Sequence, residues 1–407
     1  MAETRELQWE VTRSIPARWW GDWNELTRTQ SPIADAEWVS TFISAFATSD
    51  WCPRIHIAHR DGELVAAIPL VPSAGLASAW TSLDNEHHPY WLLAGELDAA
   101  TAERVLLALL ADERGRDYLF LRRLHLESPT CLALRTAAEQ LGLHVCVIQS
   151  AMGDARTRID GSWDAFRTSL PRGLRDHLPN ARRQLERRGA LELVSFDAPG
   201  PALTRALHEC FVLETRGWKG VRGSPILHDR RTHKFYGQLA PALASTGRFA
   251  LFQLRYEGNL IAFQYCLRGA GHVELLKESY DPTFASKSPS HLLRLLLLEE
   301  LFARGEPGYY HMGRATVDGD ARAEWKLRWA TEVAPLCTLR IYGGGLRARM
   351  AYVSGPVLRT AVKQSRLVAA ARSAARQLQR GITRARAGWT SATRLVPNRL
   401  RRASPSA

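Results

Sequence analysis

The chain has 407 residues, of which 45% are hydrophobic and 23% charged, enough for two or three domains with sizeable cores. Its net charge of +13 is concentrated: residues 346–407 hold 14 Arg plus Lys and no Asp or Glu, which leaves −1 for the first 345 residues. Six cysteines stand alone, with no CxxC and no Cys/His cluster, so reduced and mostly buried thiols are expected rather than a zinc or disulfide framework. The opening MAETRELQWE has no apolar core and no apolar run reaches membrane-spanning length, so neither a secretory signal nor a spanning helix is expected.

Residues 1–50 are rich in tryptophan (Trp9, Trp19, Trp20, Trp23, Trp38), and a helix is predicted around 35–47. A hairpin follows, RIHIAHR and ELVAAIPLV about the turn Asp61-Gly62, a strong short-range signal. After WTSLDNEHHPYWLL (80–93) the pattern predicts a helix at 99–113, a strand DYLFLRRL, a helix near 128–141 and a strand LHVCVIQ, which is α/β or α+β layering. The segment 163–189 carries Arg172, Arg175, Arg182, Arg183, Arg187 and Arg188; it reads as a basic helical segment broken or bent near Pro179, either a solvated linker or an anion-binding surface. A helix over 206–216 stops at Gly217, and Trp218-Lys219 just past it either line a cleft or pack. RFALFQLRYEGNLIAFQYCL (248–267) then repeats the first hairpin about Glu257-Gly258, which makes the chain a tandem of two related units.

The stretch 274–304, ELLKESYDPTFASKSPSHLLRLLLLEELFAR, organises the second unit. It is a β-prone run, a turn of small residues over 285–290 (Ala285, Ser286, Lys287, Ser288, Pro289, Ser290), and a helix that starts at Ser290, runs on through His291 and is apolar on nearly every face, hence buried. A strand feeding a small-residue turn and a buried helix offers free N–H groups and a positive dipole end to an anion, usually a phosphate. Other strand–turn–helix units bind nothing. GYYHMGRA (308–315) is read as the next strand, the loop TVDGDARAE leads to WKLRWA (325–330), and PLCTLRIY is the last strand.

Four stretches in this order, LETRGWKG (213–220), EGNLIAFQY (257–265), SYDPTFASKSPSHLL (279–293) and YHMGRA…EWKLRWA (310–330), resemble the CelD-type acetyltransferases of the GNAT superfamily, related in fold to the FemABX aminoacyl transferases. The resemblance covers roughly residues 15–345. It implies an α/β (α+β) fold of tandem GNAT-like units, each a twisted mixed sheet with helices on both faces. The units would be 1–155 (a structural, degenerate unit) and 156–345 (the acyltransferase unit), followed by a basic, amphipathic helical tail, partly disordered, over 346–407. It also implies that acetyl-CoA or another acyl-CoA enters where two strands splay, with its pyrophosphate at Ala285, Ser286, Lys287, Ser288, Ser290 and His291, and that no metal is used. Two positions depart from the family: Ser290 stands where Ser-Pro-Gly has its glycine, and His311 where an Asp precedes the Gly-Arg. Arg314 and Lys326 match the family's Gly-Arg and Tyr-Lys elements, with Trp325 in place of the Tyr.

Acyl transfer needs a base for the acceptor, a stabilised oxyanion and a proton for the leaving thiolate. On this resemblance Glu278 and His311 are base candidates with Glu274 behind them, Tyr280 is the acid candidate, and Trp218, Lys219, Arg314 and Lys326 are acceptor-side candidates. Each also fits a structural role as a strand-end charge, a packed ring or a satisfied histidine. In the tail, Leu367, Ala371, Leu378, Ile382 and Trp389 fall on one helical stripe and Lys363, Arg366, Arg376, Arg380 and Arg384 on the other. That pattern suits an anionic membrane surface over 355–402, and also an acidic partner, RNA or disorder. Three functions are consistent with these features. One is an acyl-CoA-dependent N- or O-acyltransferase acting on a sugar, an amino sugar or a lipid-linked envelope intermediate, cytoplasmic or peripheral on the inner membrane face. The second is a FemABX-like transferase with an aminoacyl-tRNA donor, the only reading that involves nucleic acid. The third is a non-catalytic accessory protein of a polysaccharide machine.

Overall fold

The structure, a computed structural model, describes residues 6–354 apart from 74, 76, 218–224, 270, 306–307 and 317–323. The described residues up to Ala348 form one compact unit. Trp218, Lys219 and residues 355–407 of the expected tail (346–407) lie outside the described residues. A second unit begins at Arg349.

Both hairpins form where the acidic-Gly pairs place them. Strands β2 (Arg54–Arg60) and β3 (Glu63–Ser73) turn at Asp61 and Gly62, with φ 55 and 83, and β8 (Phe249–Tyr256) and β9 (Asn259–Gly269) turn at Glu257 and Gly258, with φ 49 and 74. Two positive φ values in succession make the turn whose twist matches paired strands. Each hairpin continues in the same way. A third strand, β4 (Ala79–Ser82) or β10 (His272–Tyr280), adds antiparallel to the hairpin, and a helix, α3 (Ala99–Ala111) or α9 (Pro289–Arg304), crosses over. The next strand, β5 (Tyr118–His125) or β11 (Gly308–Thr316), then runs parallel to the third. Ahead of each hairpin stands an edge strand, β1 (Gln8–Thr12) or β7 (Leu191–Phe196), and a helical layer: α1 (Trp20–Leu26) and α2 (Ala36–Phe46) in the first half, α7 (Pro201–Arg216) and α8 (Arg230–Ala244) in the second.

The last strands of the two halves are exchanged. β6 (His144–Ile159), which follows α4 (Pro129–Gln140), pairs with β11 of the second half, while β12 (Glu332–Tyr342) pairs with β5 of the first, and the two pair with each other. A single sheet of order β1-β2-β3-β4-β5-β12-β6-β11-β10-β9-β8-β7 results. The expected boundary between residues 155 and 156 falls inside β6.

Helices cover both faces. On one, α1 and α2 share a core with α7 and α8, in which Trp38 and Phe42 meet Phe235 edge-on at ring distances of 5.3 and 5.6 Å. On the other, α3 and α4 cover the first half, and α5 (Trp163–Ser169), α6 (Arg172–Glu186) and α9 cover the second. α6 runs through Pro179 as one helix, because its inner face of Leu174, Leu178 and Leu185 is anchored in that core. The short helices α10 (Glu324–Leu327) and α11 (Leu346–Tyr352) complete the described elements. No described helix is long and apolar enough to cross a membrane.

Candidate active site

β10 and β11 pair only at His272–Tyr309, Val273–Tyr310 and Glu274–His311. Beyond that point each is deflected: β10 bulges against β9 between Leu275 and Lys277, and β11 bulges against β6 between His311 and Arg314, where Gly313 takes φ 72. Bulges bend strands and release main-chain groups from the ladder. The two strands separate around a cleft of about 830 Å³, walled by residues 275–280, 312–314 and 288–291, by Arg294, Trp325 and Lys326, and by Glu86, His87, Pro89 and Met152 of the first half.

Local chemistry builds the turn at one end. The Asp281 carboxylate accepts from the Thr283 amide (2.9 Å) and hydroxyl (2.7 Å) and starts a 3₁₀ turn over Pro282–Lys287. Ser288 then takes a left-handed conformation (φ 51, ψ 54), and α9 begins at Pro289, one residue before the expected start. The Ser288 hydroxyl lies 3.3 Å from Nε2 of His177 on α6 and does not cap the helix. Proline brings no amide of its own, and the first helical bond is Leu292 to Ser288, so Ser290 and His291 present amides with no intrahelical acceptor. Ala285, Ser288, Ser290 and His291 line the cleft; Ser286 is exposed and outside it, and Lys287 is turned to Gln184 of α6, to which its ammonium donates.

One turn into α9, Arg294 is fully buried and its Nη2 donates to Oε2 of Glu278 at 2.6 Å. Its guanidinium lies 4.3 Å from the ring centre of Trp325 and 5.6 Å from that of Trp329. Burial alone would lower its pKa, but Glu278 and Tyr310 raise it, so the cation is firmly held. His291 stacks on Trp329 and its Nδ1 accepts from the Trp329 indole at 2.9 Å, which puts the imidazole proton on Nε2. Burial, reinforced by Arg294, pulls the His291 pKa down to about 3. The ring is therefore neutral at pH 7.

Glu278 and Tyr280 line the cleft. His311 lies beneath its apex: Nδ1 is 2.7 Å from Oδ2 of Asp154 on β6, and Nε2 is 3.4 Å from Nδ1 of His272. Burial disfavours its charge, yet Asp154 and Glu274 outweigh burial and raise its pKa. Glu274 is fully buried beside it, its pKa raised by burial. Arg314 and Lys326 meet at the cleft, where Lys326 Nζ donates to the Arg314 carbonyl at 2.9 Å; burial lowers the Lys326 pKa to about 8. Among the described residues no group of His, Cys, Asp and Glu is arranged to hold a metal ion.

The first half handles the same place differently. Past the β4–β5 pairing, Arg122 donates to Asp84 at 2.5 Å and Arg123, at φ 61, donates to the carbonyls of Asn85 and His88 and lies 3.5 Å from Asp84. Ion pairs bridge the two strand ends there. Sequence reasoning missed Arg294, the His87 loop, and the support that His177 and Gln184 give the turn. Only Arg294 left a trace, a charge inside a run of leucines.

Residues 172–327 match the family described as acetyltransferase (GNAT) domain. Among solved structures the chain is similar to FemX, at 13% identity and TM-score 0.54, covering 84% of this chain and 99% of that one. It is similar also to a conserved protein of unknown function from Bacteroides thetaiotaomicron, at 11% identity and TM-score 0.53 over 82% of this chain and 99% of that one. A tandem GNAT protein from the clavulanic acid biosynthesis pathway aligns at 14% identity and TM-score 0.41, over 84% of this chain and 99% of its own. No curated protein sequence matches the chain. FemX and the Bacteroides protein speak for the fold and the domain match for the class: residues 172–327 match an acetyltransferase (GNAT) domain, and the chain is an enzyme of the acyltransferase class.

Proposed function

We propose that the protein is an acyl-CoA-dependent N- or O-acyltransferase whose acceptor is a sugar, an amino sugar or a lipid-linked envelope intermediate. One observation carries the donor: the strand pair that parts after Glu274 and His311 opens onto a cleft whose end is the uncapped start of α9. Free amides at a helix start suit a pyrophosphate, and the cleft runs from there along β10, as an extended thioester arm requires. Ser290 adds a hydroxyl where a glycine would leave more room. The acceptor class rests on the four CelD-like stretches and on the basic tail, which suits a cytoplasmic enzyme held at the inner, anionic membrane face.

The residues divide the work. Main-chain amides released by the bulge at Leu276 face the charge that grows on the thioester oxygen. Glu278 takes the proton of the attacking amine or hydroxyl, directly or through water, and Arg294 holds that carboxylate in place. The new acyl bond forms as the C–S bond breaks, and Tyr280 protonates the departing thiolate. His311, off the cleft, braces the apex through Asp154.

Calorimetric titration with acetyl-CoA and longer acyl-CoAs tests the donor. Saturable binding is expected, weakened about tenfold or more by Ser290→Tyr, which fills the mouth of the turn. A folded protein that binds no acyl-CoA would sink the proposal. A donor carried on tRNA is a second reading, favoured by the exposed Arg183, Arg187 and Arg188 of α6 and the residues just after it, because α6 braces the turn. Binding would then fall steeply with salt.

A further inference from the structure

We infer that the end of the cleft beside the loop 86–89 is a phosphate subsite for the acceptor, with Arg314 as its forked donor and Lys326 as the adjoining point charge. The inference rests on the acyltransferase reading above and names the acceptor's chemistry. Arg314 is half-buried on the cleft wall, and its only side-chain bond among the described residues is Nη2 to the Glu86 carbonyl at 3.5 Å, the outer limit of a hydrogen bond. A guanidinium has five N–H donors. No described carboxylate forms an ion pair with it.

Among the described residues the positive charge at this wall is only partly compensated. Arg122 and Arg123 converge on one buried carboxylate, Asp84, the described acid whose charge Arg314 feels most. Burial and the neighbouring Arg123 both press the Arg314 pKa down, the sign of a cation short of counter-charge. Lys326 adds its ammonium on Arg314's own carbonyl; of the acids that line the cleft, Glu278 is paired to Arg294 and Glu86 has a side chain 81% exposed to solvent. Two cations on one wall, with the cleft's Glu278 already paired to Arg294, suit a dianionic phosphate better than a carboxylate, and the planar fork of arginine grips two of its oxygens.

This end of the cleft is not the donor's phosphate turn. That turn is braced by His177 and Gln184 of α6, whereas Arg314 reaches the loop that the first half contributes. The first half thus has a job in acceptor recognition, supplying Glu86 and Pro89 to the wall.

The test uses the full chain saturated with CoA, so that the donor turn is occupied, titrated with uridine diphosphate and with dodecyl phosphate in micelles. These stand for nucleotide-linked and lipid-linked acceptors. Binding of at least one is expected, weakened about tenfold or more by Arg314→Gln and partly restored by Arg314→Lys; the probe that binds more tightly identifies the source. Binding of neither probe, or affinity unchanged in Arg314→Gln, would overturn the inference. So would a parallel loss of acetyl-CoA affinity, which would assign Arg314 to the donor. If the wild-type chain binds no acetyl-CoA, the functional reading fails by itself, and the probes still report on Arg314 in the free protein.

Discussion

Arg294 shows how one side chain can govern the site. It is the fully buried charge of α9, and Glu278, about one-fifth exposed, is the carboxylate that answers it. Removing one partner of such a pair leaves the other desolvated and alone, whereas replacing both can be nearly neutral. Arg294→Met is expected to cost about 3 kcal/mol of stability, and Arg294→Met with Glu278→Gln less than the sum of the two single changes. A double-mutant cycle in urea checks this; additivity would mean that the two do not act as a pair. In the sequence Arg294 is only a polar break in a leucine run, and pairing with a residue sixteen positions earlier depends on how α9 lies on β10. The Asp154–His311 contact was less legible still, since it spans two strands of different halves. By contrast the turn that holds Ala285, Ser288, Ser290 and His291 could be read from the strand–turn–helix pattern, because local backbone chemistry makes it.

Elements whose signals are local were the ones legible in advance. The two acidic-Gly turns announced the hairpins, and the apolar run announced α9. The exchange of β6 and β12 was not legible, because strand partners far apart in sequence leave no periodic mark. Gly153 is where the exchange becomes tight. It faces Ala315 of β11 on one side and Pro335 of β12 on the other, and a Cβ there would sit 2.5 Å from Val333 Cγ1 and 2.9 Å from the Ala334 carbonyl. Gly153→Ala is expected to destabilise by about 2 kcal/mol through overpacking. Gly21, inside α1 with open space for 4 Å around the point where a Cβ would stand, supplies the contrast: Gly21→Ala should stabilise by about 0.5–1 kcal/mol on helix propensity. Denaturant midpoints of the two variants should move in opposite directions; a neutral Gly153→Ala would show that β12 can shift to make room.

At the scale of the molecule, exchanged strands and a core shared by α2 and α8 mean that neither half keeps its sheet or its packing without the other. One unfolding transition is expected for residues 6–348, and pH is the variable that should move it most. Burial lowers the pKa of His56, His87, His125 and His272 to about 4 and that of His291 to about 3, and it puts His88 well below the ordinary value of 6.5. These rings come from both halves. Below pH 6.5 the unfolded chain protonates them while the folded one does not, so unfolding takes up protons and stability falls as pH drops toward 4. Burial raises the pKa of Glu274, Asp35 and Glu37, and the Asp154 pair raises that of His311 against the effect of burial; these four groups pull the other way. The lowered imidazoles outnumber them, and most of the raised groups are carboxylates that act nearer the acid end of the window. Melting temperature should therefore fall steadily between pH 7 and pH 5, in a single step at every pH, with circular dichroism and tryptophan fluorescence tracking each other. A flat or rising profile would mean that the histidines are hydrated in solution, and two separated steps would mean that the exchanged strands do not tie the halves together.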